Sequence, residues 1–573
     1  MTNHDRELLT RWLDTPMEDN DLTEELLAIR NNEKEVHEHF YQSLEFGTAG
    51  LRGELGAGTN RMNIHTVRQA TQGFASFLLS RNPHPSMAIS YDSRHKSELF
   101  ARETAAVMAG NGVKVYLYKE LMPTPALSFA VLDRYCDGGV MVTASHNPAR
   151  YNGYKAYDRD GAQISGEVAA AVSAYIEKTD IFDDIKRADF DQALKDGTIE
   201  YIGEDLIGRY LDAVEKQALR PGLCRKAGFK LVYTPLNGAG RRCVTEILSR
   251  IGVTDVTVVP EQEMPDGDYP TCPYPNPEIL EAMQLGLNLT EKLGADLLLA
   301  TDPDSDRVGT AVLMNGKPRL ISGNEMGVLL LDYICRSRIE LGKMPEHPVA
   351  VKSFVSTTMA DVVAEHYGVE MRSVLTGFKY IGEQIALLEA EGHPERYLFG
   401  FEESYGYLSG GYVRDKDAVV ASMLICEMAA WYKGQGKTLG DAMEDLYKKF
   451  GYYHNKVDSY AFAGSDGMEK MADLMRELHK NPLSEIAGHK VTALADYESG
   501  IRHENGKETP TGLPKANVIE YRLGELGSVI VRPSGTEPKL KLYYSLKAED
   551  RTAGAKLYES CKAAMLGRLG LSE

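Results

Sequence analysis

Short apolar segments recur along the chain in an order that predicts a repeated α/β unit. In each of three copies, an apolar strand leads into a polar or glycine-rich turn, a helical stretch and a Gly-Val pair that opens a second strand. The glycine of each pair suits the left-handed position just past a helix end. Repetition of the whole unit predicts related domains. The first strands and the glycines are residues 87–91, 230–233 and 349–352, and Gly112, Gly252 and Gly368.

Each copy continues through a second helical stretch into a third apolar strand, and a polar peptide follows that strand directly. The third strands are residues 139–143, 296–301 and 397–401. Strands that alternate with helices predict a parallel α/β sheet. Because ligands of such sheets bind at the carboxyl ends of the strands, we expect the three peptides to meet in one cleft.

The two ends of the chain depart from the repeat. From residue 452 onward turns are more frequent, and strands are expected near residues 518–521 and 527–531, which predicts a fourth, different domain. Residues 24–44 carry apolar positions at irregular helical spacing, which predicts a helical N-terminal extension.

The predicted fold class is α/β. Three related α/β domains with mixed or parallel sheets and a distinct α+β C-terminal domain are expected around a central cleft. At roughly 150 residues per domain, a chain of 573 residues suits four domains. The expected domains are residues 1–204, which include the N-terminal extension, and residues 205–320, 321–451 and 452–573.

Composition and charge narrow the class of protein. Hydrophobic residues make up 43% of the chain and charged residues 26%, as in ordinary globular proteins. The net charge of −19 repels nucleic acid and anionic membranes, so neither is an expected partner. No signal peptide or membrane span is visible, which predicts a cytoplasmic location. The seven cysteines are scattered and form no C-x-x-C pair, so disulfides and cysteine zinc sites are not expected.

The serine loop, residues 143–148, follows the third strand of the first copy with the sequence Thr-Ala-Ser-His-Asn-Pro. It places one hydroxyl beside an imidazole and amide donors, so Ser145 is a candidate phosphoryl carrier with His146 next to it. A Ser-His dipeptide is more often an exposed turn, and adjacent residues rarely form the hydrogen bond between nucleophile and base. The functional interpretation of this loop therefore depends on the other loops.

The aspartate loop, residues 302–307, follows the third strand of the second copy with the sequence Asp-Pro-Asp-Ser-Asp-Arg. In a folded-back loop, Asp302, Asp304 and Asp306 can converge on a hard divalent cation. A solvated acidic turn is the alternative, but such turns seldom follow a buried parallel strand. Magnesium fits better than calcium or zinc, because the glycine and distant glutamate of an EF-hand and nearby Cys or His are missing. Arg307 can contact the same phosphate or simply balance the local charge.

The glutamate loop, residues 400–406, follows the third strand of the third copy with the sequence Gly-Phe-Glu-Glu-Ser-Tyr-Gly. Alternate residues of an extended segment face the same way, so Glu402 and Ser404 are expected to point together. A carboxylate and a hydroxyl in this arrangement suit the recognition of sugar hydroxyls. A charged strand end is an equal alternative.

The arginine loop, residues 532–539, lies in the C-terminal region with the sequence Arg-Pro-Ser-Gly-Thr-Glu-Pro-Lys. Its guanidinium, two hydroxyls and glycine-centred turn form a candidate phosphate cradle, and a plain surface turn is the alternative. The candidate ligand residues are Arg532, Ser534, Gly535 and Thr536. Further cations that are either functional or ordinary surface charges are Arg52, Arg94, Lys155 and Lys379.

These four loops, in this order, resemble those of the α-D-phosphohexomutase superfamily, over about residues 46–544. The resemblance implies that Ser145 carries a phosphoryl group and binds Mg2+ together with the three aspartates. It also implies that Glu402 and Ser404 read sugar hydroxyls, that the arginine loop anchors the phosphate that is not transferred, and that Lys379 contacts substrate near the reacting oxygen. The family has three related α/β domains and a distinct C-terminal one, in agreement with the repeats.

The implied activity is that of an isomerase that interconverts α-D-glucose 1-phosphate and glucose 6-phosphate. The reaction would pass through a phosphoserine and a bisphosphorylated sugar, so Mg2+ and glucose 1,6-bisphosphate are the expected cofactors. Among the candidate sugars glucose ranks first, because the glutamate loop carries Glu-Glu-Ser, the form that the resemblance associates with glucose, rather than Glu-Met-Ser. Gly-Phe stands before these residues where well-known glucose enzymes have Cys-Gly, so pentose and mannose phosphates stay open as substrates.

The general acid and base are open among His146, Lys155 and Lys379, and Arg52 is grouped with them as a candidate catalytic residue. The expected partners are small sugar phosphates. The oligomeric state is left open between monomer and dimer.

Two rival functions are compatible with parts of the pattern. An aspartate-dependent phosphatase would use Asp302 and Asp304 as nucleophile and acid, but it would leave Ser145 idle. An inactive sugar-phosphate sensor would keep the binding loops, but it has no need of a phosphoryl carrier.

Overall fold

The N-terminal extension is helical in the computed structural model, which describes residues 2–462, 467–534 and 539–571. The extension contains three short helices rather than one stretch, because each begins at a new side-chain cap: Thr2, Asp19 and Asn32. Buried Trp12 and Phe40 hold the first and third helices together with ring centroids 5.8 Å apart. The helices are α1 (Asn3–Asp14), α2 (Asn20–Ile29) and α3 (Glu33–Phe40).

The first repeat forms a sheet with helices on its faces. Its elements are β1 (Gly50–Glu54), α4 (Ile64–Arg81), β2 (Ser86–Tyr91), α5 (Ser97–Gly110), β3 (Lys114–Tyr118), α6 (Thr124–Asp133), β4 (Gly138–Val142), β5 (Tyr151–Asp158), α7 (Gly166–Ile176), α8 (Phe190–Asp196) and β6 (Ile199–Ile202). The strand order is β1-β5-β4-β2-β3-β6. Strands β4, β2, β3 and β6 run parallel to one another. Beyond β4, strand β5 pairs antiparallel with β4, and β1 pairs antiparallel with β5 at the edge of the sheet.

The second repeat forms a sheet with the strand order β11-β10-β9-β7-β8. The elements of this part of the chain are α9 (Glu204–Glu215), α10 (Leu223–Ala227), β7 (Lys230–Thr234), α11 (Gly240–Arg250), β8 (Asp255–Val258), α12 (Pro260–Glu263), α13 (Leu280–Leu293), β9 (Leu297–Thr301), β10 (Val308–Met314) and β11 (Lys317–Ile321).

The third repeat forms a shorter sheet with the strand order β13-β12-β14-β15. Its elements are α14 (Gly323–Glu340), β12 (Val349–Ser353), α15 (Met359–His366), β13 (Glu370–Val374), α16 (Phe378–Ala390), β14 (Tyr397–Glu402), β15 (Gly406–Leu408), α17 (Ala418–Lys433) and α18 (Leu439–Phe450).

The C-terminal region is built differently, around an antiparallel sheet with the order β16-β24-β23-β22-β19-β20-β21. Its elements are β16 (Tyr452–Ala461), α19 (Gly467–Lys480), β17 (Glu485–Ile486), β18 (His489–Lys490), β19 (Ala493–Asp496), β20 (Ile501–Glu504), β21 (Lys507–Pro510), β22 (Ile519–Arg522), β23 (Gly527–Pro533), β24 (Lys539–Ala548) and α20 (Arg551–Leu569). An apolar cluster that includes Phe354 and Tyr497, with ring centroids 5.1 Å apart, joins this region to the third repeat.

All three repeats share one strand order, which confirms the predicted α/β fold class. The third strand of each copy (β4, β9, β14) pairs in parallel with the first (β2, β7, β12), and the first pairs in parallel with the second (β3, β8, β13). Gly112, Gly252 and Gly368 have φ angles of 79°, 87° and 68°, the left-handed conformation expected past a helix end. The exact domain boundaries stay a prediction.

A continuous buried apolar cluster links the three repeats. It includes Leu127 of α6, Tyr210 of α9, Ile247 of α11 and Met423 of α17. All seven cysteines are free and buried. Within the described residues, no helix has both the length and the apolar content that a membrane crossing requires.

Candidate active site

The carboxyl ends of β4, β9 and β14 meet at one cavity of about 830 Å³. Residues from all four predicted loops contribute to its wall, so loops far apart in the chain share one cleft. The predicted residues that line it are Arg52, Ser145, His146, Lys155, Asp306, Arg307, Glu402, Ser404 and Arg532.

The serine loop is held in a tight turn by side chains of its own repeat. Ser145 has a φ of 53°, a left-handed conformation that is unusual for serine. Its amide donates to Thr143 Oγ1 at 2.8 Å, and the Thr143 hydroxyl donates to Asp92 Oδ2 at 2.6 Å. The hydroxyl of Ser145 is thereby fixed on the side of the loop that faces the second repeat.

The Arg94 guanidinium hydrogen-bonds backbone carbonyl groups of the serine loop and of the residues that follow it. It donates to the carbonyl oxygens of Ser145, Asn147, Pro148 and Tyr151. The Arg94 side chain is buried, and its Nε lies 3.3 Å from Asp92 Oδ2. Arg94 was one of the cations that the sequence left undecided, and here it holds the backbone of the loop rather than lining the cavity.

The aspartate loop folds back on itself directly opposite Ser145. Asp302 Oδ1 accepts hydrogen bonds from the amides of Asp306 and Arg307 at 3.1 and 3.0 Å. One carboxylate oxygen from each of the three aspartates lies within 4.8 Å of the others. The Ser145 Oγ donates to Asp302 Oδ2 at 3.0 Å, so the hydroxyl and the aspartates meet as the loop order predicted.

Two buried lysines neutralise part of this negative charge. Lys155 Nζ donates to Asp304 Oδ2 at 2.7 Å and to Asp306 Oδ2 at 3.2 Å. Lys416 Nζ lies 3.1 Å from Asp306 Oδ2 and 2.9 Å from Asp415 Oδ1. Sequence reasoning missed Lys416, which lies in the charged run 414–417. The available signal was that the apolar helix α17 begins directly after this run, so the run cannot be wholly solvated.

The aspartates do not share the same electrostatic environment. Burial raises the pKa of Asp302 well above its ordinary value, and the charges of Asp304 and Asp306 add to this effect. Burial also opposes the charge of Asp304, but attraction to Lys155 and hydrogen bonds outweigh it and lower the pKa of Asp304. A bound cation, in addition to Lys155 and Lys416, would therefore favour ionisation of all three aspartates.

The free oxygens of the aspartates fit a divalent cation. Asp304 Oδ1 and Asp306 Oδ1 are buried and have no hydrogen-bond partner among the described residues. The lysines bind only the Oδ2 atoms of these two side chains. Buried carboxylate oxygens without a partner are costly, and oxygen donors are what Mg2+ prefers. The donor set therefore fits the expected ion.

His146 is the candidate acid or base that contacts the serine. Its Nδ1 lies 3.2 Å from Ser145 Oγ. Burial, followed by the charges of Arg307 and Arg52, lowers the pKa of His146 well below its ordinary value, which keeps the ring neutral. Neighbouring serine and histidine side chains do contact each other here, at a position where the Ser145 backbone is left-handed.

Lys379 lies outside this group of contacts. It follows Phe378, which lines the cavity, but its Nζ donates to the carbonyl oxygen of Thr48 at 3.4 Å. Burial lowers the pKa of Lys379. Arg52 lies on β1 opposite Gly153 and reaches the cavity wall.

The glutamate loop borders the aspartate loop and is bonded to it through the backbone. The Val308 amide donates to the Tyr405 carbonyl at 3.1 Å, and the Arg307 guanidinium donates to the Ser404 carbonyl at 3.2 Å. Glu402 Oε1 accepts from the Gly377 amide at 2.7 Å. Glu402 and Ser404 both line the cavity, but so do Glu403 and Tyr405, because β14 ends at Glu402 and residues 403–405 form a turn rather than the expected extended segment.

Glu403 also lines the cavity, but its carboxylate binds the third repeat. Its Oε2 accepts from the hydroxyls of Ser353 at 2.8 Å and Ser356 at 3.4 Å. The side chain ties the glutamate loop to the carboxyl end of β12. Both adjacent glutamates line the cavity, but the Glu403 carboxylate is already bound by two serine hydroxyls.

The described start of the arginine loop reaches the cavity wall from the C-terminal region. Arg532 lines the wall, and its Nη1 donates to the Tyr543 hydroxyl at 3.4 Å. The Ser534 amide donates to the Lys539 carbonyl at 2.7 Å. Gly535 and Thr536 lie outside the described residues, so their predicted roles stay predictions. Wall residues that the sequence analysis missed are Gln163, Asn276, Glu278, Asn324, Lys416, Lys456 and Lys541.

The fold and the site together define a phosphoryl-transfer enzyme with three related α/β domains, and comparison with protein families gives the same class. Family descriptions for phosphoglucomutase/phosphomannomutase match the chain in order. The α/β/α domains I, II and III match residues 43–181, 208–314 and 322–450, and the C-terminal domain matches residues 484–555. The chain belongs to the phosphoglucomutase/phosphomannomutase family, which confirms the predicted resemblance.

Individual relatives cover almost the whole chain. A phosphoglucomutase of Staphylococcus epidermidis is 38% identical over 522 residues, which are 90% of this chain and 93% of the relative. A phosphoglucomutase of Staphylococcus aureus strain MRSA252 is 37% identical, over 90% of this chain and 92% of the relative. The crystal structure of parafusin, a phosphoglucomutase from Paramecium, in its open form has a similar fold, with a TM-score of 0.68 and 16% identity over 93% of this chain and 97% of that chain.

Proposed function

We propose that this enzyme interconverts α-D-glucose 1-phosphate and glucose 6-phosphate through a phosphoserine at Ser145 and a bisphosphorylated sugar. The observation that carries the proposal is the hydrogen bond of 3.0 Å between Ser145 Oγ and Asp302 Oδ2 at the junction of the serine and aspartate loops. A phosphoryl group on this oxygen would lie against the aspartate cluster. The two relatives called phosphoglucomutase support glucose as the sugar.

Asp302, Asp304 and Asp306, with the oxygen on Ser145, would hold Mg2+. The bound ion would supply positive charge that stabilises the transferring phosphoryl group. The support for this ligand set is that Asp304 Oδ1 and Asp306 Oδ1 have no hydrogen-bond partner within the described part of the chain, while their Oδ2 atoms are bound by lysines. The Arg307 Nε lies 3.7 Å from Asp306 Oδ1, beyond hydrogen-bond distance.

We assign to His146 the transfer of the proton to and from Ser145 Oγ. When the phosphoryl group moves from Ser145 to the sugar, the attacking sugar hydroxyl loses its proton and Ser145 Oγ gains one, and the reverse transfer exchanges them. The His146 ring, neutral between the two transfers, would pass this proton. Among His146, Lys155 and Lys379, only the His146 ring hydrogen-bonds this oxygen in the described structure. Lys155 is committed to two carboxylates and Lys379 to a backbone carbonyl, so both act through charge rather than by moving this proton.

The remaining loops orient the sugar. Glu402 and Ser404 would bind two of its hydroxyls, and Arg532 with the arginine loop would hold the phosphate that is not being transferred. Since both ends of glucose 1,6-bisphosphate must reach Ser145 in turn, the intermediate has to turn around inside the cleft. A cavity of about 830 Å³ leaves room for a bisphosphorylated hexose.

The carrier is tested by intact-mass measurement before and after incubation with glucose 1,6-bisphosphate and Mg2+. One added phosphoryl group is expected on the wild-type protein and none on Ser145→Ala. Ser173→Ala is the matched control, because Ser173 lies in the same repeat and donates only to the Phe46 carbonyl. Absence of the added mass from the wild-type protein would refute the proposal.

The substrate is tested by coupled assays on the 1-phosphates of glucose, mannose and ribose. The proposal expects the highest kcat/KM for glucose 1-phosphate. A preference for mannose or ribose 1-phosphate would leave Ser145 as the phosphoryl carrier but refute glucose phosphate as the substrate. Hydrolysis of sugar phosphates that survives in Ser145→Ala would instead favour an aspartate-dependent phosphatase.

A further inference from the structure

The N-terminal extension binds a short segment of the first repeat through ion pairs of two acidic side chains. The contact segment is residues 93–96. Lys96 Nζ lies 3.1 Å from both carboxylate oxygens of Asp19 and 2.5 Å from Asp21 Oδ2. Asp19 also caps helix α2, so the ion pairs connect the start of that helix to the start of α5.

Lys96 holds a backbone conformation that a lysine disfavours. Its φ and ψ angles are 63° and 0°, in the left-handed region, at the position directly before α5. Glycine adopts this conformation freely, whereas a lysine needs surrounding contacts to stay in it. The ion pairs with Asp19 and Asp21 are contacts of this kind.

The same contact segment carries Arg94, which holds the serine loop. The Ser97 amide donates to the Arg94 carbonyl at 3.1 Å, and the Asn152 side chain donates to the His95 carbonyl at 2.9 Å. The turn at Lys96 therefore sets the direction in which Arg94 approaches the Ser145 carbonyl.

The contact segment is supported on its other side by the second repeat. His95 Nε2 lies 2.7 Å from Asp268 Oδ1, and the Arg94 guanidinium lies over the Tyr269 ring at 5.2 Å from its centroid. Gly267 approaches so closely that an added Cβ would meet the His95 amide nitrogen at 2.8 Å. The segment is thus fixed between the second repeat and the extension, with the serine loop above it.

A second connection runs from the extension toward Arg150, just past the serine loop. Glu25 Oε2 of α2 accepts from the Ala57 amide at 2.7 Å. Two residues earlier, the Leu55 amide donates to the Arg150 carbonyl at 2.8 Å. Helix α2 is therefore connected both to the contact segment and to the chain two residues past the serine loop.

We propose that Asp19 and Asp21 are positioning residues for phosphoryl transfer: through Lys96 they fix the contact segment, and with it the hold of Arg94 on the Ser145 loop. This inference rests on the proposed function of Ser145 as phosphoryl carrier. The role of the N-terminal extension is then to hold the serine loop in its reactive geometry, in addition to covering apolar surface.

The test compares the full-length variant Asp19→Asn/Asp21→Asn with the wild-type protein. Asparagine keeps the helix cap and removes the charges that bind Lys96. We expect the rate of Ser145 phosphorylation at saturating glucose 1,6-bisphosphate to fall by about fivefold to tenfold, since small displacements of reacting groups are costly. The KM for the sugar phosphate should change by less than about twofold, because its binding loops are elsewhere.

Lys96→Gly and Lys96→Ala separate positioning from simple charge loss. Both remove the ammonium, but glycine tolerates the left-handed backbone and alanine does not. The glycine variant should therefore retain a higher phosphorylation rate than the alanine variant. Equal rates for the two variants would contradict a role for the backbone at this position.

Asp180→Asn is the matched control. Asp180 also forms an ion pair between the extension and the first repeat, with Arg11 at 2.6 Å, but contacts nothing in the contact segment. Its phosphorylation rate should equal that of the wild type. Faster hydrogen exchange across residues 143–151 is expected only in the Asp19/Asp21 and Lys96 variants.

The outcomes distinguish the two proposals. If the wild-type protein gains no phosphoryl group, the proposed function fails. If the wild type is phosphorylated and the Asp19→Asn/Asp21→Asn variant matches both the wild type and Asp180→Asn in rate and in hydrogen exchange, the positioning role is overturned while the function stands.

Discussion

Replacing Lys155 with methionine should destabilise the protein in a way that Mg2+ reverses. The Lys155 ammonium lies 2.7 Å from Asp304 Oδ2 and 3.2 Å from Asp306 Oδ2. At an effective dielectric constant of about 20, these separations correspond to attractions of about 6 and about 5 kcal/mol. Burying the ammonium cancels much of this gain, so the expected net loss of unfolding free energy is about 3–5 kcal/mol.

The loss should depend on Mg2+ because the ion restores positive charge among the same carboxylates. Urea unfolding of Lys155→Met is therefore measured in EDTA and in excess Mg2+, with the wild type beside it. We expect the midpoint to drop strongly in EDTA and to recover in Mg2+ by more than the wild type gains. Urea is chosen because it is uncharged and does not screen the ion pairs.

Lys352→Met is the control for burial of a lysine as such. Lys352 is also buried and lies 3.0 Å from Asp361, but it has no contact with the aspartate loop. Its loss of stability should be the same in EDTA and in Mg2+. If Lys155→Met unfolds at the wild-type urea concentration in EDTA, or shows the same response to Mg2+ as Lys352→Met, the electrostatic account of the site is wrong.

Three further predictions concern the surroundings of the site. Gly238→Ala would bring a Cβ to 2.4 Å from Pro303 Cα, so phosphorylation by glucose 1,6-bisphosphate should fall by about tenfold or more; Gly567→Ala, with nothing within 4 Å, should keep the wild-type rate. Thr143→Val leaves the serine-loop amide without its acceptor and should lower the urea stability by about 1–3 kcal/mol, whereas Thr143→Ser should not. Burial lowers the pKa of His65 to about 4, so the unfolded chain binds the extra proton between about pH 6.5 and pH 4. The free energy of unfolding should therefore fall by about 3 kcal/mol as the pH drops through this window. For His65→Gln we expect a weaker dependence of unfolding free energy on pH. The same pH dependence in this variant as in the wild type would contradict the prediction.

The repeated units were predictable from the sequence because their apolar strands are buried on both faces. Such strands form uninterrupted apolar runs, as at residues 297–300, and glycines such as Gly252 mark the helix ends between them. Parallel strand direction places each loop at the carboxyl end of its own sheet, and the packing of the three repeats against one another brings the loops together. The split of the N-terminal extension at residues 30–32 was not predicted, because Asn32 looks like an ordinary polar residue until its side chain is seen capping α3.

Parts of the site depend on contacts between repeats, which a local pattern does not reveal. Lys416 looks like one charge in a solvated run, and only the packing of α17 against the other repeats brings it to Asp306. Thr124 stands at the start of α6 and donates to Asp304 Oδ2 at 2.9 Å across two repeats. The orientation of Glu403 depends on two serines that lie about fifty positions earlier in the chain.

Hydrogen bonds from the Val308 amide to the Tyr405 carbonyl and from the Arg307 guanidinium to the Ser404 carbonyl join the aspartate and glutamate loops into one rim. The spacing between the expected cation site and the side chains proposed to bind the sugar is then set by these hydrogen bonds. We therefore expect a shorter or longer sugar to be accommodated at the part of the wall that the C-terminal region supplies, where Arg532 lies. Natural or laboratory variants with altered sugar length preference are accordingly expected to carry their changes in the C-terminal region rather than on this rim.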